Sequence, residues 1–182
     1  PLDEAARYHS VDMRDDDYFQ HDSYDRSGGS LVLTCDWVTR VTSYYPSASS
    51  VAENIAAGYT TPGAVVLGWL NSPPHKDNLL RTTVREIGVG YACCGGTYTR
   101  YWTQDFGTRS RLYPLVINRE DGTKTSANVT VYVYGTWSEM RLRNDGGTWT
   151  AWMPFSNEFA WTLPAGAGTH TVTGEMRTGS TS

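Results

Sequence analysis

The spacing of apolar residues changes period once along this chain, and that change constrains the fold more than any bulk property. In the first half the apolar positions recur at helical intervals. Leu2, Ala5, Ala6, His9 and Met13 trace one stripe of an opening helix. Asp15-Asp16-Asp17 follows, and negative charge is disfavoured at a helix C-terminus, so that helix is expected to end near Arg14. Ser27-Gly28-Gly29-Ser30 reads as a loop, and residues 31–41 as a second, weaker helix. Thr61-Pro62 supplies an N-cap and a first-turn proline, with Val65, Val66, Trp69 and Leu70 as the apolar face behind it. Pro73-Pro74 is expected to stop this helix, because neither residue donates a backbone hydrogen bond, and Lys76 to Leu80 forms a short turn. Glu86 to Ala92 and Tyr98 to Phe106 read as a hairpin joined through Gly95-Gly96.

Beyond residues 108–111, taken as a linker, the period falls to two. Val129, Val131 and Val133 alternate with Thr130, Tyr132 and Tyr134, as in a half-buried strand. Strands are expected at 113–119, 129–134, 139–143, 159–163 and 169–176. Asp121-Gly122, Asn144-Asp145-Gly146-Gly147 and Pro164-Ala165-Gly166 punctuate them. This spacing predicts a small β-sandwich of immunoglobulin-like type over 112–182.

Composition narrows the function. The net charge is −4, Lys76 and Lys124 are the only lysines, and no basic run exceeds two residues, which argues against a nucleic-acid partner. No apolar stretch approaches the roughly 20 residues of a membrane span. The sequence opens without a signal peptide, as expected of a mature secreted form, and its richness in Gly, Ser, Thr and aromatics fits an extracellular protein. There are 3 cysteines, so one disulfide plus one free thiol is the simplest arithmetic. Neighbouring side chains on a strand point to opposite faces, so only one of Cys93 and Cys94 easily reaches Cys35. Cys35–Cys94 is the expected bridge, Cys35–Cys93 the runner-up, and three reduced thiols the remaining reading.

Four motifs then fall in order: Phe19-Gln20-His21; Ala52-Glu53-Asn54-Ile55-Ala56-Ala57-Gly58; Trp69-Leu70-Asn71-Ser72-Pro73-Pro74-His75-Lys76-Asp77-Asn78; and Ile87-Gly88-Val89-Gly90 with Tyr101-Trp102-Thr103-Gln104-Asp105-Phe106-Gly107. Together they resemble the CAP superfamily of cysteine-rich secretory, antigen 5 and pathogenesis-related proteins, in its bacterial secreted branch. The resemblance implies an α+β chain with a CAP-type α-β-α sandwich over residues 1–107. It also implies a cleft lined by two His and two Glu, of which His21, Glu53 and His75 match three. Ser72 stands at the fourth position, and Ala52 replaces a usual Gly. Two imidazoles and a carboxylate suit Zn2+ with an open position for water, but the lost fourth residue implies weak binding. The family usually places a further helix before the one carrying His9, and a missing layer would expose apolar surface usable for self-assembly.

Other readings stay open. His9 is expected to be a structural or cavity-wall histidine, and Asn54 and Asn78 to satisfy loop backbone. Ser72 and His75 form a nucleophile–base pair only if a third group orients them. Asp15, Asp16, Asp17, Asp22 and Asp25 lack a calcium-loop pattern and read as solvated surface. Trp137, Trp149, Trp152 and Trp161 serve either core packing or a sugar-stacking platform. The functional expectation is a secreted binding or interaction module for an unknown extracellular ligand or protein. The alternatives are a zinc-dependent hydrolase acting on peptide or cell-wall material, and a structural subunit of an extracellular assembly.

Overall fold

The computed structural model describes residues 1–111, 113–121, 123 and 125–179. The chain divides into two compact units, Pro1–Leu112 and Tyr113–Ser182.

In the first unit, α1 (Leu2–Asp15) carries the expected stripe, with Leu2, Ala5, Ala6, His9, Ser10 and Met13 all buried. A hairpin follows, β1 (Ser23–Ser27) against β2 (Ser30–Cys35), and then α2 (Trp37–Tyr44). The helix expected over 31–41 is therefore split. Gly28 and Gly29 both adopt positive φ and turn the chain back, so residues 30–35 pair with β1. Asp36 restarts the helix by accepting the Thr39 amide at 3.0 Å. The long strand β3 (Ala48–Ala57) has no counterpart among the strands read from sequence.

Thr61 caps α3 (Pro62–Leu70) through the Ala64 amide, as its sequence implies. Pro73-Pro74 opens another helix rather than leading into a turn. It supplies the first residues of α4 (Pro73–Leu79), where a missing amide hydrogen costs nothing. Then come β4 (Glu86–Cys93) and β5 (Arg100–Arg109). The sheet order is β3-β5-β4, antiparallel throughout, with β5 central and almost wholly buried.

Helix α1 lies against one face of this sheet, where Met13, Tyr18, Ile55 and Tyr101 pack together. On the other face α3 brings Val65 and Trp69 onto Ala56 and Trp102. Gly88 and Gly90 permit the first contact. A Cβ on Gly88 would lie 2.0 Å from the Leu2 carbonyl carbon, and one on Gly90 would lie 2.0 Å from the Ala6 carbonyl oxygen. On β4, Ile87, Val89 and Tyr91 remain exposed.

All three cysteines are free thiols, so neither expected bridge to Cys35 forms. The topology gives the reason. Cys35 pairs with Ser23 at one end of the hairpin, and its thiol donates to the Asp36 carbonyl at 3.3 Å. The other end reaches the C-terminus of α1, where Arg26 bonds Asp16 and Asp17; Asp17 in turn holds Thr97, in the turn after Cys94. The length of β2, roughly 17 Å at the rise of a strand, keeps Cys35 from that turn.

In the second unit, β6 (Leu115–Ile117), β7 (Asn128–Val133), β8 (Glu139–Asn144), β9 (Met153–Pro154), β10 (Glu158–Thr162) and β11 (Val172–Arg177) form two three-stranded antiparallel sheets, β10-β7-β6 and β11-β8-β9. Val129, Val131 and Val133 are buried and alternate with exposed residues; Leu115, Phe159, Trp161 and Met176 pack around them. Gly122, in an expected turn, lies outside the described residues. Of the tryptophans, Trp161 joins this core and donates to Asn144 Oδ1 at 2.7 Å. Trp149 and Trp152 instead stack under guanidinium groups, Arg143 at 4.4 Å and Arg177 at 4.1 Å from the ring centres. Trp137 meets Tyr113 edge-on at 4.8 Å.

Candidate functional site

Glu53 is the centre of the cleft. It sits on β3 opposite Asp105 of β5, and its side chain is almost fully buried. A carboxylate in that position needs donors. His21 supplies one, its Nδ1–H donating to Glu53 Oε1 at 2.7 Å. Arg40 of α2 supplies the other, donating from Nη2 to Glu53 Oε2. The same guanidinium donates from Nη1 to the His21 carbonyl at 2.7 Å and to Ser23 Oγ at 3.1 Å. Arg40 thus ties β3, the segment carrying His21, and β1 to one planar fork. Burial pushes the Glu53 carboxyl upward, but the His21 bond and the nearby Arg40 guanidinium hold it below the usual carboxylate range.

Two further buried groups surround this pair. Asp105 is fully buried, and neither of its oxygens has a hydrogen-bond partner in good geometry. Burial, followed by the charge on Glu53, pushes its carboxyl up to about 9, so Asp105 is a neutral acid beside an ionised one. His9 of α1 is also fully buried. Its Nε2–H donates to the Gln20 carbonyl at 3.0 Å, its Nδ1 is unpartnered, and burial lowers it to about 3. His9 is therefore a neutral wall residue and offers no exposed ligand atom.

His75 lies on α4 and does not reach Glu53. Its Nδ1 shares a 2.7 Å hydrogen bond with Ser72 Oγ, and its carbonyl accepts from Asn54 Nδ2 at 3.1 Å. Burial, with His21 as a lesser influence, lowers the His75 ring. The side chains of Asn78 and Trp69 reach the outer side of β3, donating to the Glu53 and Ile55 carbonyls at 3.0 and 3.2 Å. Asn78 Nδ2 also donates to Asn54 Oδ1 at 3.0 Å. The motif residues thus lock α3 and α4 onto β3, and His75 is carried there by that lock.

His21 and His75 both line a cleft of about 550 Å³ walled by Phe19, Ile55, Tyr59, Trp69 and Tyr98. Each ring uses Nδ1 internally, which leaves Nε2 as the nitrogen for a ligand. Glu53 faces a separate hollow of about 270 Å³ with His21, Trp37 and Asn78. Among the described residues the one group whose ligand atoms gather within 4.8 Å is Asp12, Asp16 and Asp25; His21, Glu53 and His75 do not form such a group. With both Glu53 oxygens engaged, the residues present do not fit a three-ligand zinc centre. Ser72 and His75 are joined, but no carboxylate orients the ring, so the pair lacks the third member of a triad.

The cysteine-rich secretory protein family, CAP, matches residues 1–106. The chain belongs to the CAP family. Its CAP unit is 37% identical over 105 residues to the Bacillus subtilis protein YkwD, across 58% of this chain and 36% of that protein. It is 35% identical over 106 residues to the B. subtilis membrane protein YlbC, across 58% and 27%. The chain therefore spans about a third of these relatives' length. Among solved structures, an extracellular protein containing a SCP domain from Bacillus anthracis aligns with TM-score 0.46 and 31% identity, over 59% of this chain and 32% of that one. An outer surface protein of Borrelia burgdorferi aligns with TM-score 0.48 and 24% identity, over 60% and 74%. Among the described residues no helix is long and apolar enough to cross a membrane.

Arg40 and Asp105 are the site residues that the motif reading passed over. Asp105 left a signal, an acidic residue inside a strand of otherwise buried character. Arg40 left none, since Thr39-Arg40-Val41 reads as an ordinary helix surface.

Proposed function

We propose that the CAP unit is a secreted binding module whose ligand occupies the aromatic-walled cleft and hydrogen-bonds to the Nε2 atoms of His21 and His75. The supporting observation is the state of Glu53. A carboxylate committed to Arg40 and His21 is a brace, which leaves two imidazoles and an apolar wall as the groups facing the cleft. That pattern, mostly apolar with a few fixed polar groups, suits a small amphiphilic extracellular ligand. The second unit serves as a spacer or docking module of immunoglobulin-like type. Zinc is a weak ligand in this reading, held by the two imidazoles in competition with protons.

Calorimetry with zinc at pH 7.5 and 5.5, alongside titration with the fluorescent apolar anion 1-anilinonaphthalene-8-sulfonate, tests this. The expected result is one dye site weakened by His75→Ala, and zinc binding that is weak at pH 7.5 and absent at pH 5.5. Tight zinc binding that depends on Glu53, with no dye site, would overturn the reading in favour of a metal hydrolase.

A further inference from the structure

Cys93 and Cys94 were expected to point to opposite faces of one strand, but only Cys93 lies in it. Strand β4 ends at Cys93, and Cys94 takes φ 71°, in the left-handed region that a cysteine rarely adopts. This breaks the alternation that would otherwise send the two side chains to opposite faces. Tyr91, two residues back on the same strand, and Cys94 both influence the Cys93 thiol. The conformation is held from outside the pair. The Cys94 amide donates to the Thr99 carbonyl at 2.8 Å, and Arg14 Nη1 reaches the Cys93 carbonyl at 3.5 Å. Cys93 is half-buried and Cys94 is exposed, so the sulfurs are open to solvent.

Two adjacent thiols, freed from strand alternation, can close on each other or clasp something between them. Neighbouring Cα atoms lie about 3.8 Å apart. Disulfide-bonded residues usually stand about 4.4–6.8 Å apart, so a direct bond between neighbours is strained. A bridging atom relieves that strain by separating the sulfurs. Soft thiolate donors select soft centres. The Cys94 hydrogen bond, with lesser contributions from Tyr91, Arg100 and Arg14, lowers the Cys93 thiol, which favours the ligating form.

We propose that Cys93 and Cys94 form a two-sulfur chelating site for a soft, thiophilic centre of the trivalent-arsenic or monovalent-copper kind, separate from the histidine cleft. With an arsenical the chemistry is substitution without redox. Phenylarsonous acid, PhAs(OH)2, forms two As–S bonds, and its two hydroxyl groups leave as water with the two thiol protons.

The test is titration of the reduced protein with phenylarsine oxide, counting free thiols. One equivalent is expected to remove two of the three thiols, to survive excess monothiol and to release to a dithiol. Cys35→Ser is expected to behave the same. Cys94→Ser and Cys93→Ser should each hold the arsenical about 100-fold less tightly or worse, the scale of a lost second attachment. Displacement from wild type by a monothiol, loss of binding in Cys35→Ser, or undiminished binding in Cys94→Ser would each overturn the proposal.

Discussion

Arg40 shows how much of this site hangs on one side chain. Its guanidinium is buried, and it satisfies Glu53, the His21 carbonyl and Ser23 at once. Removing one partner of a buried ion pair leaves the other uncompensated, at about 3–5 kcal/mol. Arg40→Ala is therefore expected to destabilise the CAP unit by that amount in urea unfolding, and to leave the His21 carbonyl without its donor. Arg40→Lys should fall between, because an ammonium cannot span the three acceptors as a planar fork does. A loss under 1 kcal/mol for Arg40→Ala would mean that Glu53 is not held as described. His21 and Glu53 were legible as a pair because each stands inside a recognisable motif. Their distance from His75 was not, since the path from β3 through Asn54 and Asn78 to α4 is made of three-dimensional hydrogen bonds.

At the scale of elements, the helix–sheet contact is written in two glycines. An alanine at Gly88 or Gly90 would drive its methyl into the backbone of α1, which has no rotamer by which to yield. Gly88→Ala or Gly90→Ala should each cost about 1–3 kcal/mol or more, read as a lowered midpoint of the transition reported by Trp69 and Trp102 fluorescence. Gly63→Ala, inside α3 with nothing within 4 Å, is the control and should be neutral to slightly stabilising. The elements best read from sequence were those with a clean period or cap: α1, α3, β4, β5 and β7. Strand β3 escaped because its core residues include Ala, Glu and Asn, which carry no alternating apolar signal. Residues 31–41 misled because Leu31, Val38 and Val41 suit a helix, while the turn at Gly28-Gly29 decides for a hairpin.

For the molecule as a whole, the buried titratable groups set a stability profile. Asp105, at about 9 when folded, lies above its unfolded value near 3.9, so its contribution is full below about pH 3.9 and is lost as pH rises towards 9. His9, at about 3 when folded, lies below its unfolded value near 6.5, so its contribution is full above about 6.5 and is lost as pH falls towards 3. The two slopes oppose each other between about pH 4 and 6.5, and only the Asp105 slope remains above that range. Stability of the CAP unit is expected to be level in mild acid and to decline from about pH 6.5 to 9, at up to about 1.4 kcal/mol per pH unit. Asp105→Asn, which keeps the size of the side chain without a charge to ionise, should remove the alkaline decline in urea midpoints measured at pH 5, 6.5 and 8.5. A parallel decline in the variant would assign the slope to other groups. The second unit, with its own core, should show neither effect. One consequence reaches beyond the monomer. The outer strand of a sheet normally offers its carbonyls to any extended peptide that drifts alongside, yet those of Glu53 and Ile55 are already taken by Asn78 and Trp69. Fibre-like growth from that flank would first have to strip both side chains away.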